Sequence, residues 1–239
     1  MTSSMTPQQY GVGARFTLSV YDSDYVRIIL DALAAADAEG LVIETNDIST
    51  FVSGAEQRVL EYLAAVIGAA AASGAHLSAA ILLSRGCPGE LQCALPPGVP
   101  ALGTAPVSLA GTGVRARAHW SLYPLLDAGP AEPAVPAERT EPAAPAAPET
   151  TAPAASADGS PEQAPDRHLE HMAPIYAAIE AAKRDGIYAG SDHYATRLDG
   201  DLAAVLETVA NAWIGVGASV QHVVTHLTVS VNSPTPVSD

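Results

Sequence analysis

Along the first third of the chain, hydrophobic and polar positions show the two-residue period of strands in some segments and the spacing of helices in others. In residues 16–21 apolar and polar side chains alternate, which is typical of a strand with one buried face. In residues 24–37 the apolar side chains recur at helical spacing, and this stretch ends near Gly40. The remaining predicted elements are, in order, strands at 41–45 and 48–53, a helix at 55–72 and a strand at 76–84.

The same succession appears again in the second half of the chain. Residues 46–88 align without a gap with residues 192–234, so that Thr50 falls on Thr196. Phe16-Thr17-Leu18 aligns with Trp120-Ser121-Leu122 at an offset that is smaller by 42 residues. The second copy is therefore predicted to contain an insertion just after its first strand. Its predicted elements are strands or helices at 118–123, 171–184, 187–190, 193–199, 201–212 and 222–231.

The insertion has the composition of a disordered segment. Residues 128–166 consist mainly of Pro, Ala, Glu, Thr and Ser, with almost no large apolar side chain to bury. We therefore predict a first repeat at 14–85, a Pro- and Gly-rich linker at 86–113, and a second repeat at 114–234 that contains the insertion.

The order of elements in each copy, β-α-β-β-α-β, predicts an α+β protein built from two tandem ferredoxin-like repeats, each with an antiparallel four-stranded sheet. Helices cover one face of such a sheet, and the other face is bare. We expect the bare faces to pack sheet against sheet, within the chain or across a dimer. Thr50 lies between Ile48 and Val52, and Thr196 between Tyr194 and Leu198, so both hydroxyls are predicted on the apolar side of a strand.

The net charge of the chain limits which classes of ligand or macromolecule it is expected to bind. The formal net charge is −15 and the isoelectric point about 4.6, which disfavours nucleic acid and anionic membrane surfaces and weakly favours a cationic ligand. The apolar stretch at 64–83 is long enough to span a membrane, but it is rich in Ala and interrupted by Ser73-Gly74. A helix followed by a strand is the better interpretation.

Candidate chemistry is sparse. The sequence has no G-x-S-x-G, H-E-x-x-H or P-loop motif, so we predict neither catalytic residues nor an enzyme. His168, His171 and His193 lack a carboxylate or Cys at the usual spacing, so no metal site or cofactor is predicted either.

Several motifs, present in order and partly duplicated, resemble the YkoF family. They are 47-DISTFVSG-54, 86-GCPGE-90, 121-SLYP-124, 193-HYATRLDGD-201 and 231-VNSP-234. The resemblance implies a cytoplasmic, dimeric protein that binds thiamine through its hydroxymethylpyrimidine part, one ligand per repeat. It also implies a role in uptake or salvage of thiamine precursors, beside a membrane transporter, without catalysis.

The resemblance places the ligand on the first and third strands of each repeat. It implies Thr17, Leu18 and Thr50 in the first copy, and Ser121, Leu122 and Thr196 in the second. The copies differ nearby: Asp47 stands where the second copy has His193, and Ser19-Val20 where it has Tyr123-Pro124. We include Asp47, His193 and Tyr123 among the candidate ligand-binding residues, and expect the first site to differ in affinity or selectivity.

Two other classes of function stay open at this point. The first is a regulatory ferredoxin-like module that senses a ligand and responds through its oligomeric state or a partner. The second is an enzyme acting on a pyrimidine or thiazole, which the absence of a paired nucleophile and base disfavours. Residues 128–166, which follow the strand with Ser121 and Leu122, form either a mobile lid, an adaptor-binding arm or a tolerated insertion.

Overall fold

Eight strands form one continuous antiparallel sheet in the computed structural model, which describes residues 5–87, 95, 102–125 and 172–235. The predicted insertion at 128–166 and parts of the linker lie outside the described residues. The strands are β1 Gly13–Val20, β2 Val42–Thr45, β3 Thr50–Ser53, β4 Leu77–Arg85, β5 Arg115–Leu125, β6 Tyr188–Asp192, β7 Ala195–Asp201 and β8 His222–Val231. The helices are α1 Pro7–Tyr10, α2 Tyr25–Ala35, α3 Glu56–Ala71, α4 Ala173–Arg184 and α5 Leu202–Val216.

The strand order confirms the duplicated fold. It runs β2-β3-β1-β4-β8-β5-β7-β6, so each repeat contributes four strands in the ferredoxin-like arrangement, with its first and third strands adjacent at the centre. The boundaries differ from the prediction by a few residues. The largest differences are a later end of α5, an earlier start of β1 and β5, and an additional short helix, α1, that the periodicity did not indicate.

The two sheets meet edge to edge. Strand β4 pairs with β8 along its whole length, from Leu77 opposite Val231 to Arg85 opposite Val223. The expectation that the sheets pack face to face within the chain is therefore wrong. The physical reason is that each ferredoxin-like sheet ends in a long fourth strand with unpaired backbone groups, and pairing the two edges satisfies both at once.

The helices form a single layer on one face. Helix α2 packs on α3, α3 on α5, and α5 on α4, so the layer crosses the junction between the repeats as the sheet does. Side chains alternate accordingly: in β4, Leu77, Ala79 and Ile81 are buried, whereas Ala80 and Leu82 are exposed on the other face. No described helix covers that second face, which we call the open face.

The apolar stretch at 64–83 divides as predicted. Helix α3 ends at Ala71, Gly74 has a positive φ of 78°, and β4 begins at Leu77. Among the described residues, no helix combines the length and the hydropathy needed to cross a membrane.

A buried ion pair lies beneath the junction. The Arg85 side chain is fully buried, and its Nη2 lies 3.6 Å from Glu56 Oε1. The guanidinium also donates to the carbonyl of Leu102 (2.6 Å) and lies over the rings of Tyr10 and Trp213. Burial lowers the pKa of Arg85, and the negative charge of Glu56 opposes that shift. Arg85 therefore joins the end of the first repeat to the linker and to α5.

The last part of the linker, residues 102–113, is held by side chains rather than by a strand partner. The amide of Asn211 exchanges two hydrogen bonds with the backbone of Val107, and the amide of Gln57 does the same with Ser108. The Asp201 carboxylate accepts from the N–H groups of Thr112 and Gly113 and also from Ala203, so it caps α5 as well.

Candidate functional site

The first strand of each repeat continues past the point where the antiparallel third strand begins. In the second repeat β5 pairs with β7 only from Arg115 to Trp120, but with β8 from Ala116 to Leu125. In the first repeat β1 pairs with β3 only from Gly13 to Phe16, but with β4 as far as Val20. Residues 17–20 and 121–125 are thus paired on one side only. Their other backbone edge is available as a source of donors and acceptors.

A matched hydrogen bond fixes the start of each unpaired stretch. The Thr17 hydroxyl donates to the carbonyl of Ile48 (3.1 Å), and the Ser121 hydroxyl donates to the carbonyl of Tyr194 (3.0 Å). Both contacts tie the first strand to the turn before the third. These two candidate hydroxyls therefore hold the strand end in place. Each has used its proton, so it can only accept a hydrogen bond from a ligand.

In the second repeat the unpaired stretch of β5 borders a cleft of about 300 Å³, comparable to small-molecule sites. Its floor is formed by Trp120, Leu122 and Thr196, which are all buried. Ile175 and Ile179, one turn apart on α4, form an apolar wall. The exposed rim consists of Tyr123, Asp192 and Tyr194, with Ser191 and Ala195 beside them and Ser121 on the same strand as Tyr123.

The floor is apolar apart from one hydroxyl. The indole N–H of Trp120 donates to the buried hydroxyl of Thr225 (2.8 Å), which in turn donates to the carbonyl of Ser121 (2.8 Å). The ring of Trp120 is thereby fixed and its polar group satisfied within the protein. Thr196 is the polar side chain that remains at the floor.

Thr196 and its counterpart Thr50 differ in their partners. The Thr50 hydroxyl shares a hydrogen bond with the Thr45 hydroxyl (3.0 Å). Ser191 occupies the place of Thr45 in the second repeat, but its hydroxyl bonds to that of Tyr188 (3.0 Å) instead. Among the described residues Thr196 thus lacks the hydroxyl partner that Thr50 has, and its hydroxyl is available to a bound molecule.

The rim carries a negative charge. The backbone N–H of His193 donates to Asp192 Oδ1 (2.8 Å), and this bond is the main reason that the pKa of Asp192 lies below its usual range. The nearby charges of His119, His193 and Arg197 act in the same direction. The other carboxylate oxygen, Oδ2, lies 3.4 Å from Nε2 of His119. Asp192 is therefore ionised at neutral pH and half-exposed beside two tyrosines.

The structure brings most of the predicted residues together. Ser121, Leu122, Tyr123 and Thr196 line the cleft of the second repeat. In the first repeat Thr50 lies directly opposite Phe16, beside Thr17 and Leu18. Asp47 and His193 lie at matching positions in the exposed turns between the second and third strands, and His193 does not line the cleft.

One part of the strand prediction is wrong. Ile48 and Tyr194 were expected on the buried side of the third strand, but Ile48 is 74% exposed and Tyr194 fully exposed. The Asn46 side chain accepts from the N–H groups of Ile48 and Ser49, which keeps the chain in a turn until Thr50. Tyr194 has a φ of 63°, a turn conformation that directs its side chain outward.

Sequence reasoning missed three contributors to the cleft. Asp192 is the last residue of β6, and its partner His119 is far away in sequence. Ile175 and Ile179 belong to a helix that follows the long insertion. The alignment of the two repeats places Asp192 on Asn46, and this comparison could have shown that only the second repeat has a charged residue at that position.

The fold is that of a duplicated ferredoxin-like protein, and the cleft at the end of the first strand is its candidate binding site. The model of the YkoF-related family matches residues 11–90 and 165–236, and the chain belongs to that family. It is also similar to the Bacillus subtilis (strain 168) protein YkoF, whose name gives HMP/thiamine binding as a proposed role. The two are 25% identical over 224 residues, which cover 93% of this chain and 90% of that protein.

Proposed function

We propose that this protein binds thiamine or its hydroxymethylpyrimidine moiety, one ligand per repeat, and serves the uptake or salvage of thiamine precursors without catalysing a reaction. The observation that carries the proposal is the Thr196 hydroxyl on the apolar floor of the cleft, next to the unpaired backbone edge of β5. We further propose that it acts in the cytoplasm, as a homodimer, and passes its ligand to or from a thiamine-precursor transporter.

The chemistry of the cleft suits an aminopyrimidine. Such a ring is flat and presents amino donors and ring-nitrogen acceptors along its edge, while its faces are apolar. The unpaired edge of β5 offers both kinds of backbone group, and the Thr196 hydroxyl can donate or accept. Trp120, Leu122 and the two isoleucines of α4 supply the apolar contact. A few converging polar groups in an apolar pocket are what orient a small ligand.

The first repeat has the same framework with different side chains. Its unpaired edge of β1, the Thr17 hydroxyl and the buried Thr50 correspond to those of the second repeat. Because Thr50 already shares a hydrogen bond with Thr45, a ligand there competes with or extends an existing contact. We therefore expect the first site to bind more weakly than the second.

Calorimetric titration with thiamine and with hydroxymethylpyrimidine tests the proposal. Wild-type protein should bind close to two equivalents. Thr196→Val, which keeps the shape and removes the hydroxyl, should weaken one class of site about 3- to 10-fold, the equivalent of one net hydrogen bond. Thr196→Ser keeps the hydroxyl and is the matched control that should bind nearly as wild type. Thr50→Val should affect the other class.

The two tryptophans allow the second site to be followed alone. Trp120 lies on its floor, whereas Phe16 occupies the matching position in the first repeat and Trp213 lies at the Arg85 junction. In a Trp213→Phe background, a ligand-dependent change in fluorescence therefore reports the second repeat. Absence of heat and of fluorescence change with both ligands would contradict the proposed function. A ligand-dependent change in mass by light scattering would favour the regulatory alternative.

A further inference from the structure

The turn between the second and third strands places different charges at matching positions of the two repeats. Asp192 in the second repeat corresponds to Asn46 in the first. The Asn46 side-chain oxygen accepts from two backbone N–H groups of its own turn. Asp192 lines the cleft; it uses one oxygen for the N–H of His193, and its second oxygen lies 3.4 Å from Nε2 of His119. Only the second repeat therefore has a carboxylate at this point.

The aromatic side chains at the rim also differ between the repeats, and again in a way that favours a cation at the second site. Tyr123 and Tyr194 border the cleft of the second repeat, half and fully exposed, while the first repeat has Ser19 and Ile48 at the matching positions. Aromatic faces attract cations, and the preference is strongest where a carboxylate stands beside them. The rim of the second repeat thus combines two features that favour positive charge. At the matching positions the first repeat has neither, and its turn carboxylate, Asp47, corresponds to His193, which does not line the cleft.

The candidate ligands differ in charge at one end only. Hydroxymethylpyrimidine is neutral, whereas in thiamine the same pyrimidine is linked through one methylene to a thiazolium ring with a fixed positive charge. A pyrimidine on the buried floor, beside Thr196, leaves the second ring at the exposed rim. The rim residues therefore meet the part of thiamine that free pyrimidine lacks.

Resting on the proposed function, we infer that Asp192 makes the second repeat selective for intact thiamine over neutral hydroxymethylpyrimidine, and that the first repeat does not make this distinction. The chain would then carry one site that prefers the cationic vitamin and one that binds the vitamin and its neutral pyrimidine precursor without distinction. Asp192 acts here as a specificity residue, and the floor binds what the two ligands share.

The test compares both ligands at the second site, with Trp120 fluorescence in the Trp213→Phe background. Asp192→Asn, which installs the side chain that the first repeat carries, should weaken thiamine binding about three- to fivefold, the scale of a half-exposed ion pair. Hydroxymethylpyrimidine binding should stay as it was. Added salt should reduce the preference of the wild type for thiamine and have little effect on that of the variant.

Two further variants separate a local effect from a general one. Glu180→Gln on the outer surface of α4 removes the same charge away from the cleft, and should leave the ratio of the two affinities unchanged. Asn46→Asp, in which the turn keeps its acceptor oxygen, should raise the preference of the first site for thiamine in calorimetry. Equal loss of both ligands in Asp192→Asn, or no loss of either, would overturn the inference. Failure of the wild type to bind either ligand would instead remove the proposed function.

Discussion

Arg85 illustrates how strongly one residue can depend on another in this core. Its guanidinium is fully buried, so its charge has lost the hydration of the unfolded chain, and the Glu56 carboxylate offsets part of that cost in free energy. An arginine cannot lose its proton at ordinary pH, and its charge therefore persists when its partner is removed. The Thr104 hydroxyl donates to the same carboxylate, so removal of Glu56 would also leave Thr104 without this acceptor.

Glu56→Ala should therefore lower the free energy of unfolding by about 3–5 kcal/mol, because it leaves an uncompensated buried charge. Glu56→Gln keeps an acceptor for Thr104 and should cost less. Urea denaturation followed by circular dichroism measures both. Glu180→Ala, which breaks the exposed contact with Lys183, is the control and should cost under about 1 kcal/mol. A similar cost for Glu56→Ala and Glu180→Ala would contradict this account of Arg85.

At the scale of elements, Asp201 holds two segments with one carboxylate. It caps the N-terminus of α5 through Ala203 and anchors the linker through Thr112 and Gly113. Burial by itself would raise the pKa of Asp201, but the donated hydrogen bonds outweigh it, and the pKa lies below its ordinary value.

A folded-state pKa below the unfolded value means that the charged carboxylate stabilises the fold above the unfolded pKa of about 4. That contribution is lost as the pH falls through the folded pKa. Asp201→Asn should therefore cost about 1–3 kcal/mol at pH 7, and the difference from wild type should shrink as the pH approaches 2. Urea denaturation across this range measures it, with the exposed Asp31→Asn as control. A difference independent of pH would rule out the charge as the cause.

The elements themselves follow from local patterns, and their assembly does not. Alternation and helical spacing gave the order of strands and helices in both repeats, and the duplication gave Thr50 and Thr196 as a pair. The turn at Asn46-Asp47 was predicted, but the start of β3 was placed two residues too early. Ile48 continues the apolar alternation, while the side-chain hydrogen bonds that prolong the turn leave no periodic pattern. Asp192 was overlooked because its role depends on β5, which lies about 70 residues earlier in sequence.

For the whole molecule, the decisive feature is the pairing of β4 with β8. The sequence did not indicate this pairing, because two edges join through backbone hydrogen bonds, which leave no pattern of side chains to recognise. The joined sheet, the shared helix layer and the Arg85 junction all cross from one repeat to the other.

We therefore expect the two repeats to unfold in one transition. Amide hydrogen exchange should show the slowest exchange in β4 and β8, with similar free energies of opening in both strands, and faster exchange in the outer strands β2 and β6. Circular dichroism and tryptophan fluorescence should give the same midpoint in urea. Two separate transitions, or much faster exchange in one of the paired strands, would show that the repeats are independent folding units.

The antiparallel order of the central strands also separates the two candidate sites. From β1 through β4 and β8 to β5 each strand is antiparallel to the one before. Strands β1 and β5 therefore run in opposite directions, and their unpaired C-terminal stretches lie at opposite ends of the strands in the sheet. Within the described residues we therefore expect no side chain to serve both candidate sites. A substitution at one of them should leave the other unchanged, so the two copies can differ in what they bind.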